Sequence, residues 1–422
     1  MSPRRAARTG VPKSRQRAAR TPLYAWALYD LANTTFSLNV VSRYLPLLVI
    51  EDLGGRDLDV SLAYSGSMFA VALVAPFAGA LSDVSGRRVP FLGVATGASV
   101  AATALMGVPA RAAVVLGLFA LANFFYQAAL IFYDAMLANV SDESTRGRAS
   151  GFGIALGYGG AILSLYTVAP IAERWGKGAA FPATAALFLV FALPCLILVP
   201  DARGARVWRR GMAGQTVRQV RGTLARLSRH PGLARFLCAH FLYTDAVNTV
   251  ILFMAVYVTV VGGFSSQEVT RLLVLSTVFA IIGGVAQGPL IDRVGSKRAL
   301  YAALALWVVG LGIAMLAPSK QQLWMVGPIT GASLGALWAA DRVLMLRLSP
   351  PASLAEFYGL YGMVGRFSAI TGPLLWGGVV YALEGTGTLA YRAAIGMLLA
   401  MLIAGAAVLR GVREPQVDSQ KR

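Results

Sequence analysis

The sequence predicts an all-α membrane protein of twelve transmembrane helices, folded as two six-helix pseudo-repeats. Three observations carry this reading. The chain is 57% hydrophobic and only 14% charged, with a mean hydropathy of +0.63, whereas soluble chains are about 45–50% apolar and about 25% charged. Its apolar residues gather into twelve runs of about the 20 residues that a bilayer-spanning helix needs. Finally, the charged turn Gly79-Ala80-Leu81-Ser82-Asp83-Val84-Ser85-Gly86-Arg87-Arg88 returns 209 residues later as Gly288-Pro289-Leu290-Ile291-Asp292-Arg293-Val294-Gly295-Ser296-Lys297-Arg298, half of a 422-residue chain away. A motif repeated at half the length implies a duplicated architecture.

The first six runs cover roughly 23–49, 60–82, 89–108, 112–140, 150–172 and 180–199. The second six cover roughly 234–261, 268–291, 298–317, 322–346, 357–383 and 389–410. They divide the chain into a disordered basic arm (1–22), an N-terminal bundle (23–199), a cytosolic linker (200–233), a C-terminal bundle (234–410) and a cytosolic tail (411–422). The arm lacks the short apolar core and cleavage site of a signal peptide. In the linker, Val217, Val220, Leu224 and Leu227 recur at helical spacing among Arg218, Arg221, Arg226 and Arg229. That pattern fits an amphipathic helix on the inner membrane surface and equally a solvated tether.

The net charge of +19 reads as topology rather than nucleic-acid binding. Of the 38 Lys and Arg residues, 28 fall on one side, in the arm, the short turns, the loops holding Arg146, Arg148 and Arg347, the linker and the tail. This positive-inside bias puts both termini in the cytosol, in a bacterial plasma membrane, with the basic arm drawn to anionic lipids at the cytosolic face. Cys195 and Cys238 form neither a metal-ligand spacing nor a disulfide framework. A phosphate-cradling glycine loop followed by lysine and Ser/Thr is absent. The chain is therefore expected to be no enzyme, with no cofactor and no metal.

Two further pairs support the duplication. Asp30-Leu31-Ala32-Asn33-Thr34 matches Asp245-Ala246-Val247-Asn248-Thr249, and Asp134-Ala135-Met136-Leu137 matches Asp341-Arg342-Val343-Leu344. Two parallel six-helix repeats are the plan of a large class of secondary transporters.

The turn motif, its copy and the six-plus-six plan resemble the major facilitator superfamily. The match is closer to one branch, the bacterial and fungal proteins similar to the autophagy-related vacuolar effluxers. That branch resembles Tyr29-Asp30-Leu31-Ala32-Asn33-Thr34-Thr35-Phe36, and Arg146-Gly147-Arg148-Ala149-Ser150-Gly151-Phe152-Gly153 with Leu156-Gly157-Tyr158-Gly159-Gly160 after it. It also resembles Pro350-Pro351, Ala355-Glu356-Phe357-Tyr358-Gly359-Leu360-Tyr361, Gly365-Arg366-Phe367 and Gly372-Pro373-Leu374. The branch typically has tryptophan at Leu31, asparagine at Asp134 and lysine at Arg366. The resemblance covers residues 22 to 410 and implies the major facilitator fold and export of small molecules, with amino acids the substrate proposed for fungal members. The Leu31 and Asp134 departures leave the substrate open.

A charge inside a spanning helix costs about 2.5 kcal/mol or more, so each one needs a reason. Asp30 and Asn33 share a helix face, as do Asp245 and Asn248. Under twofold pseudosymmetry both faces line one cavity. Asp30 and Asp245 are the proton-coupling candidates, because partial dehydration favours the protonated carboxyl. The alternative is that they pair with Arg342, Arg366 or a helix end and never titrate. Asn33, Asn248, Tyr126, Gln127 and Arg366 are the substrate-cavity candidates, though Tyr126 also fits plain aromatic packing. Arg366 either forks onto a substrate carboxylate or neutralises an aspartate across the cavity. Asp134, Asp341 and Arg342 are read as gate residues. The turn residues Asp83, Arg87, Arg88, Asp292, Lys297 and Arg298 are read as conformational latches, the aspartates capping adjacent helix N-termini. His240 reads as a packed side chain without partners. The glycines of the fifth and eleventh helices fit close, sliding contact between halves, or ordinary tight packing.

The expected machine is a monomer moving a small molecule by alternating access, with protons as coupling ion and export as direction. Proton-coupled uptake or facilitated diffusion is the alternative. A non-transporting scaffold or sensor of the same fold is a further one, disfavoured because it gains nothing from buried acids.

Overall fold

A computed structural model of the chain describes residues 13–55, 57–108, 111–201, 222, 231–383 and 385–414. The linker stripe from Val217 to Arg229 lies outside the described residues. Among those described are twelve helices of 17 residues or more. The first half holds α1 (Lys13–Phe36), α2 (Asp57–Ser85), α3 (Val89–Leu105), α4 (Ala112–Ala135), α5 (Arg146–Trp175) and α6 (Ala180–Leu198). The second half holds α7 (Pro231–Gly262), α8 (Ser266–Val294), α9 (Ser296–Leu316), α10 (Lys320–Leu348), α11 (Leu354–Ala382) and α12 (Thr388–Arg410). By length and composition, nine described helices are apolar enough to cross a membrane. α3 has 17 residues and counts as a shorter apolar helix.

Helix ends follow local chemistry. Gly86 and Gly295 take φ of 66° and 92° at the two short turns, the left-handed region where a side chain is strained. The chain can therefore reverse within a few residues of α2 and α8. α8 opens on a capping box: Ser265 accepts from the Glu268 N–H and Glu268 accepts from the Ser265 N–H. α1 departs from the sequence reading at both ends. It begins at Lys13, so residues 13–22 of the supposed disordered arm are helical. Past Phe36 it continues in wide π-turns over Ser37–Tyr44 and Leu48–Asp52, around Pro46, which lacks a ladder N–H.

The helices alternate in direction, so the 83–89, 140–146 and 294–296 turns lie at the end of the bundle that holds the first residues of α1 and the last of α12. We call this the terminal end. The two halves meet along α2 with α11 and α5 with α8. Backbones close to contact there: a Cβ at Gly79 would overlap the Ala355 carbonyl, one at Gly359 the Ala75 carbonyl, and one at Gly151 the Gly284 carbonyl. The α5 glycines are split in purpose. Gly147 and Gly151 face α8, while Gly153, Gly157 and Gly160 face α1 within the same half.

Candidate functional site

Arg342 is the centre of the charged seam. It lies six residues from the end of α10, about 9 Å along the axis from the terminal end, and is 9% exposed. Its Nη1 and Nη2 donate to the two oxygens of Asp30 on α1, at 3.0 and 3.4 Å. Its Nε lies 3.1 Å from Asp134 Oδ1 on α4, an ion pair whose angle does not make it a hydrogen bond. The guanidinium carbon sits 5.3 and 5.4 Å from the Trp26 and Tyr133 rings, adding cation–π attraction in a dry site. One cation of the second half thus clamps two anions of the first. Asp30 is an ion-pair partner here rather than an open cavity carboxylate. The ion pair between Asp134 and Arg342 joins the two halves.

Asp341, the other gate candidate, does not reach across. It is fully buried in the second half, accepting from Tyr243 on α7 and from Tyr361 on α11 at 2.6 Å. His240 Nδ1 lies 3.0 Å from its Oδ2. The sequence reading left His240 without partners, because the aspartate that meets it lies a hundred residues away on another helix.

The turn motifs close the same end. Asp83 Oδ2 accepts from the Glu356 N–H at the start of α11, and its Oδ1 is 3.2 Å from Arg88 Nη2. Asp292 accepts from the Gly147 and Arg148 N–H groups at the start of α5 and pairs with Arg148 Nε at 2.9 Å. Each aspartate of one half therefore caps a helix of the other, where the positive end of the dipole favours an anion. Three basic latch candidates do otherwise. Arg87 and Arg298 are exposed, and Lys297 donates to the Arg410 and Val412 carbonyls within its own half. The charges of Arg87 and Arg298 sit at a surface where water already solvates them.

Two acids the sequence reading passed over complete this end. Asp201 accepts from the Arg88 and Val89 N–H groups at the start of α3. Glu414 accepts from the Ser296 and Lys297 N–H groups at the start of α9 and pairs with Arg347. Their spacing of 213 residues matches the repeat offset, the signal that could have found them.

Deeper in the bundle the groups are only partly paired. Arg366 lies twelve residues into α11, about 18 Å along it, and is 7% exposed. Its Nη2 donates to the Gln127 carbonyl and Oε1 on α4, at 2.6 and 3.2 Å. Its Nε and Nη1 are buried without a hydrogen-bond partner. It forms no close ion pair with an aspartate among the described residues, though it and Asp134 act on each other electrostatically at longer range. Asp245 is fully buried. One oxygen accepts from the Gly372 N–H at 2.6 Å and the other has no partner. A Cβ at Gly372 would overlap Asp245 and Thr249, so only glycine lets the carboxylate sit there. Asn33 is buried with both side-chain polar atoms unpartnered, and Asn248 is half-buried. Tyr126 stacks on Phe36 at 4.4 Å and donates to the Asn33 carbonyl, so it packs the first half's core rather than lining a cavity. A cavity of about 330 Å³ between α2, α3 and α4 is apolar throughout, edged by Phe91, Phe124 and Phe132, and stands apart from these polar groups.

No group of three or more His, Cys, Asp or Glu among the described residues is placed to hold a metal. The arrangement places a charged seam between the halves and, beyond it, an arginine and a carboxylate that are buried and only partly paired.

The same plan recurs among known proteins. The chain is 27% identical over 371 residues to the uncharacterized MFS-type transporter YxiO of Bacillus subtilis, covering 83% of this chain and 86% of that one. It is 27% identical over 370 residues to the multidrug resistance protein MdtG of Citrobacter koseri, with 83% and 86% covered. The human organic anion transporter MFSD10 superposes with a TM-score of 0.72 at 17% identity, over 93% of this chain and 99% of that one. A bacterial homologue of the iron transporter ferroportin, in an outward-facing state, superposes at 0.73 and 15% identity, over 93% and 98%. The sugar (and other) transporter family matches residues 9–207, and the Atg22-like vacuole effluxer family matches residues 138–420. With two thirds of its length in that match, the chain belongs to the Atg22-like vacuole effluxers within the major facilitator superfamily, a family of membrane transporters and not of enzymes.

Proposed function

We propose that the protein exports a small carboxylate-bearing solute, amino acids foremost, from a bacterial cell in exchange for protons. The terminal end faces the cytosol, and the two bundles rock about a midplane site as a monomer. The observation that carries this reading is Arg366. A guanidinium buried in a spanning helix costs several kcal/mol unless its donors are used, and two of its nitrogens have no partner. A carboxylate supplies the missing acceptors in the fork geometry that arginine fits. Export is supported by the multidrug resistance relative. Asp245 is the coupling carboxylate, buried with one oxygen unpartnered. Asp30 is held by Arg342 in this state.

Purified protein in liposomes tests this with radiolabelled leucine, glutamate and benzoate. A pH gradient is expected to drive accumulation of at least one of them. Losing charge-assisted hydrogen bonds of about 1.5–3 kcal/mol, Arg366→Gln should raise KM about 10- to 100-fold. Arg366→Lys, which keeps the charge but not the fork, should fall between. Asp245→Asn should retain solute exchange while losing the response to the gradient. Unchanged KM in Arg366→Gln overturns the anion site, and gradient-driven flux in Asp245→Asn overturns the coupling role.

A further inference from the structure

The apolar cavity of about 330 Å³ in the first half plays no part in the transport reading. It is a groove lined by Val74 and Ala78 of α2, Phe91 and Val94 of α3, and Phe124 and Phe132 of α4. α3 packs on α4 and α6 of its own half, and Val94 is 71% exposed, so the groove opens on the lipid-facing surface. Its depth is that of one leaflet. Phe132 lies three residues from the end of α4, and Val74 eleven from the end of α2. At 1.5 Å per residue the groove runs from about 5 to about 16 Å from the terminal end. Half of a bilayer's hydrocarbon core is about 15 Å thick.

The second half closes the matching positions. Gln287 stands where the repeat places Ala78, and its side chain donates to the Ala299 carbonyl, tying α8 to α9. Gly331 stands where the repeat places Phe124, and a Cβ there would overlap the Ser276 carbonyl of α8. Backbones close up there, whereas rings stand between the helices of the first half, Phe91 and Phe132 with centres 5.5 Å apart. The groove is therefore made by these residues and is not a general feature of the repeat.

Water finds no partner in an apolar groove, and an empty groove forfeits dispersion contacts along its lining. In a bilayer the available filler is an acyl chain. A chain alone gains little by leaving its neighbours, because lipid tails are as apolar as the lining. A headgroup supplies the preference. The turn joining α2 to α3, two walls of the groove, carries Arg87 and Arg88. Arg88 is buried and committed to Asp83, Asn139 and the Ala135 carbonyl. Arg87 is exposed and lies three residues before Pro90, at the edge of the groove. The acids of this corner are taken up: Asp83 by Arg88 and the Glu356 N–H, Asp201 by the Arg88 and Val89 N–H groups. An exposed guanidinium thus stands at headgroup level over a leaflet-deep apolar slot. We infer that this corner is a site for one anionic phospholipid of the leaflet at the terminal end. Arg87 forks onto its phosphate, and one acyl chain fills the groove. A zwitterionic phospholipid offers the same chain, but its own cation offsets the phosphate, so charge is what selects.

The test uses the full chain in phosphatidylcholine vesicles doped with a photoreactive lipid. The probe is phosphatidylglycerol with a diazirine midway along one acyl chain, compared with phosphatidylcholine bearing the same chain. After illumination, peptide mass spectrometry counts adducts on the segment holding Phe91 and Val94, and on the exposed face of α9 at Val309 as the measure of ordinary boundary lipid. The phosphatidylglycerol probe is expected to label the groove about fivefold more than the phosphatidylcholine probe, the ratio that one basic side chain at an anionic surface gives. At Val309 the two should label equally. Arg87→Gln should bring groove labelling by phosphatidylglycerol down to the phosphatidylcholine level. Ala78→Phe, which fills the groove, should cut labelling by both probes about threefold or more and leave Val309 unchanged. Arg87 is exposed, so that variant serves if Ala78→Phe fails to fold. The proposal is overturned if both probes label the groove equally, or if Arg87→Gln keeps the preference. It is also overturned if a diazirine fatty acid outlabels the phospholipid, which would make a free carboxylate the occupant. No readout involves flux, so failure here leaves the readings of Arg366 and Asp245 to their own experiments.

Discussion

A guanidinium packed between Trp26 and Tyr133 is largely withdrawn from solvent, so its counter-charges decide where it rests. Arg342 finds two, Asp30 and Asp134, both in the other half of the chain. Removing one partner of a buried ion pair costs about 3–5 kcal/mol, because the other partner stays buried and uncompensated. Here the bundles can relieve that cost by separating and letting water in. Arg342→Gln should therefore open the terminal end rather than simply unfold the protein. Ser150 reports this: it is fully buried and donates across the halves to the Ala339 carbonyl. A Ser150→Cys probe should react with a membrane-impermeant maleimide at least about tenfold faster in the Arg342→Gln background. An unchanged rate would show that the seam does not hold the end closed.

Among elements, the α2–α11 and α5–α8 contacts rest on backbone approach and on helix caps. Gly79→Ala places a methyl group against the Ala355 carbonyl and should cost about 1–3 kcal/mol by overpacking. Gly97 has open space where its Cβ would go, so Gly97→Ala should leave the helix unchanged or gain up to about 1 kcal/mol. Thermal unfolding of the two variants in detergent checks the contrast. The cap on α9 is sensitive to pH. Burial raises the Glu414 pKa, but hydrogen bonds from Ser296, Lys297 and Arg347 outweigh it and hold the carboxyl below its ordinary value of 4.5. A depressed carboxyl stabilises the fold above its unfolded pKa, and the gain is lost as pH falls through the folded value. Glu414→Gln should thus lower the melting temperature at pH 7, and the gap to wild type should narrow below about pH 4.5. A gap independent of pH would mean that Glu414 acts by shape and not by charge.

At the scale of the whole molecule, the inter-half ion pairs described here involve the terminal half of the helices, so closure and charge share one end. Helix positions were legible in the sequence to within a few residues past α1, because a spanning helix must satisfy its backbone internally and show apolar side chains to lipid. The duplication was legible from the paired motifs, since residues that meet an equivalent partner in each half keep equivalent positions. Legibility stopped at partner choice. Asp134 and Asp341 occupy matching positions in the repeat, yet one crosses to Arg342 and the other stays home with His240, Tyr243 and Tyr361. Lys297 looked like a latch beside Asp292 and instead ties down the end of α12. The turn at Gly79–Arg88 and its copy named the architecture by themselves, since a short charged reversal between apolar runs is a local property. Which acid each base meets was decided only by tertiary packing, because buried charges must find opposite charges in space, and spatial neighbours such as Asp30 and Arg342 lie 312 residues apart in the chain.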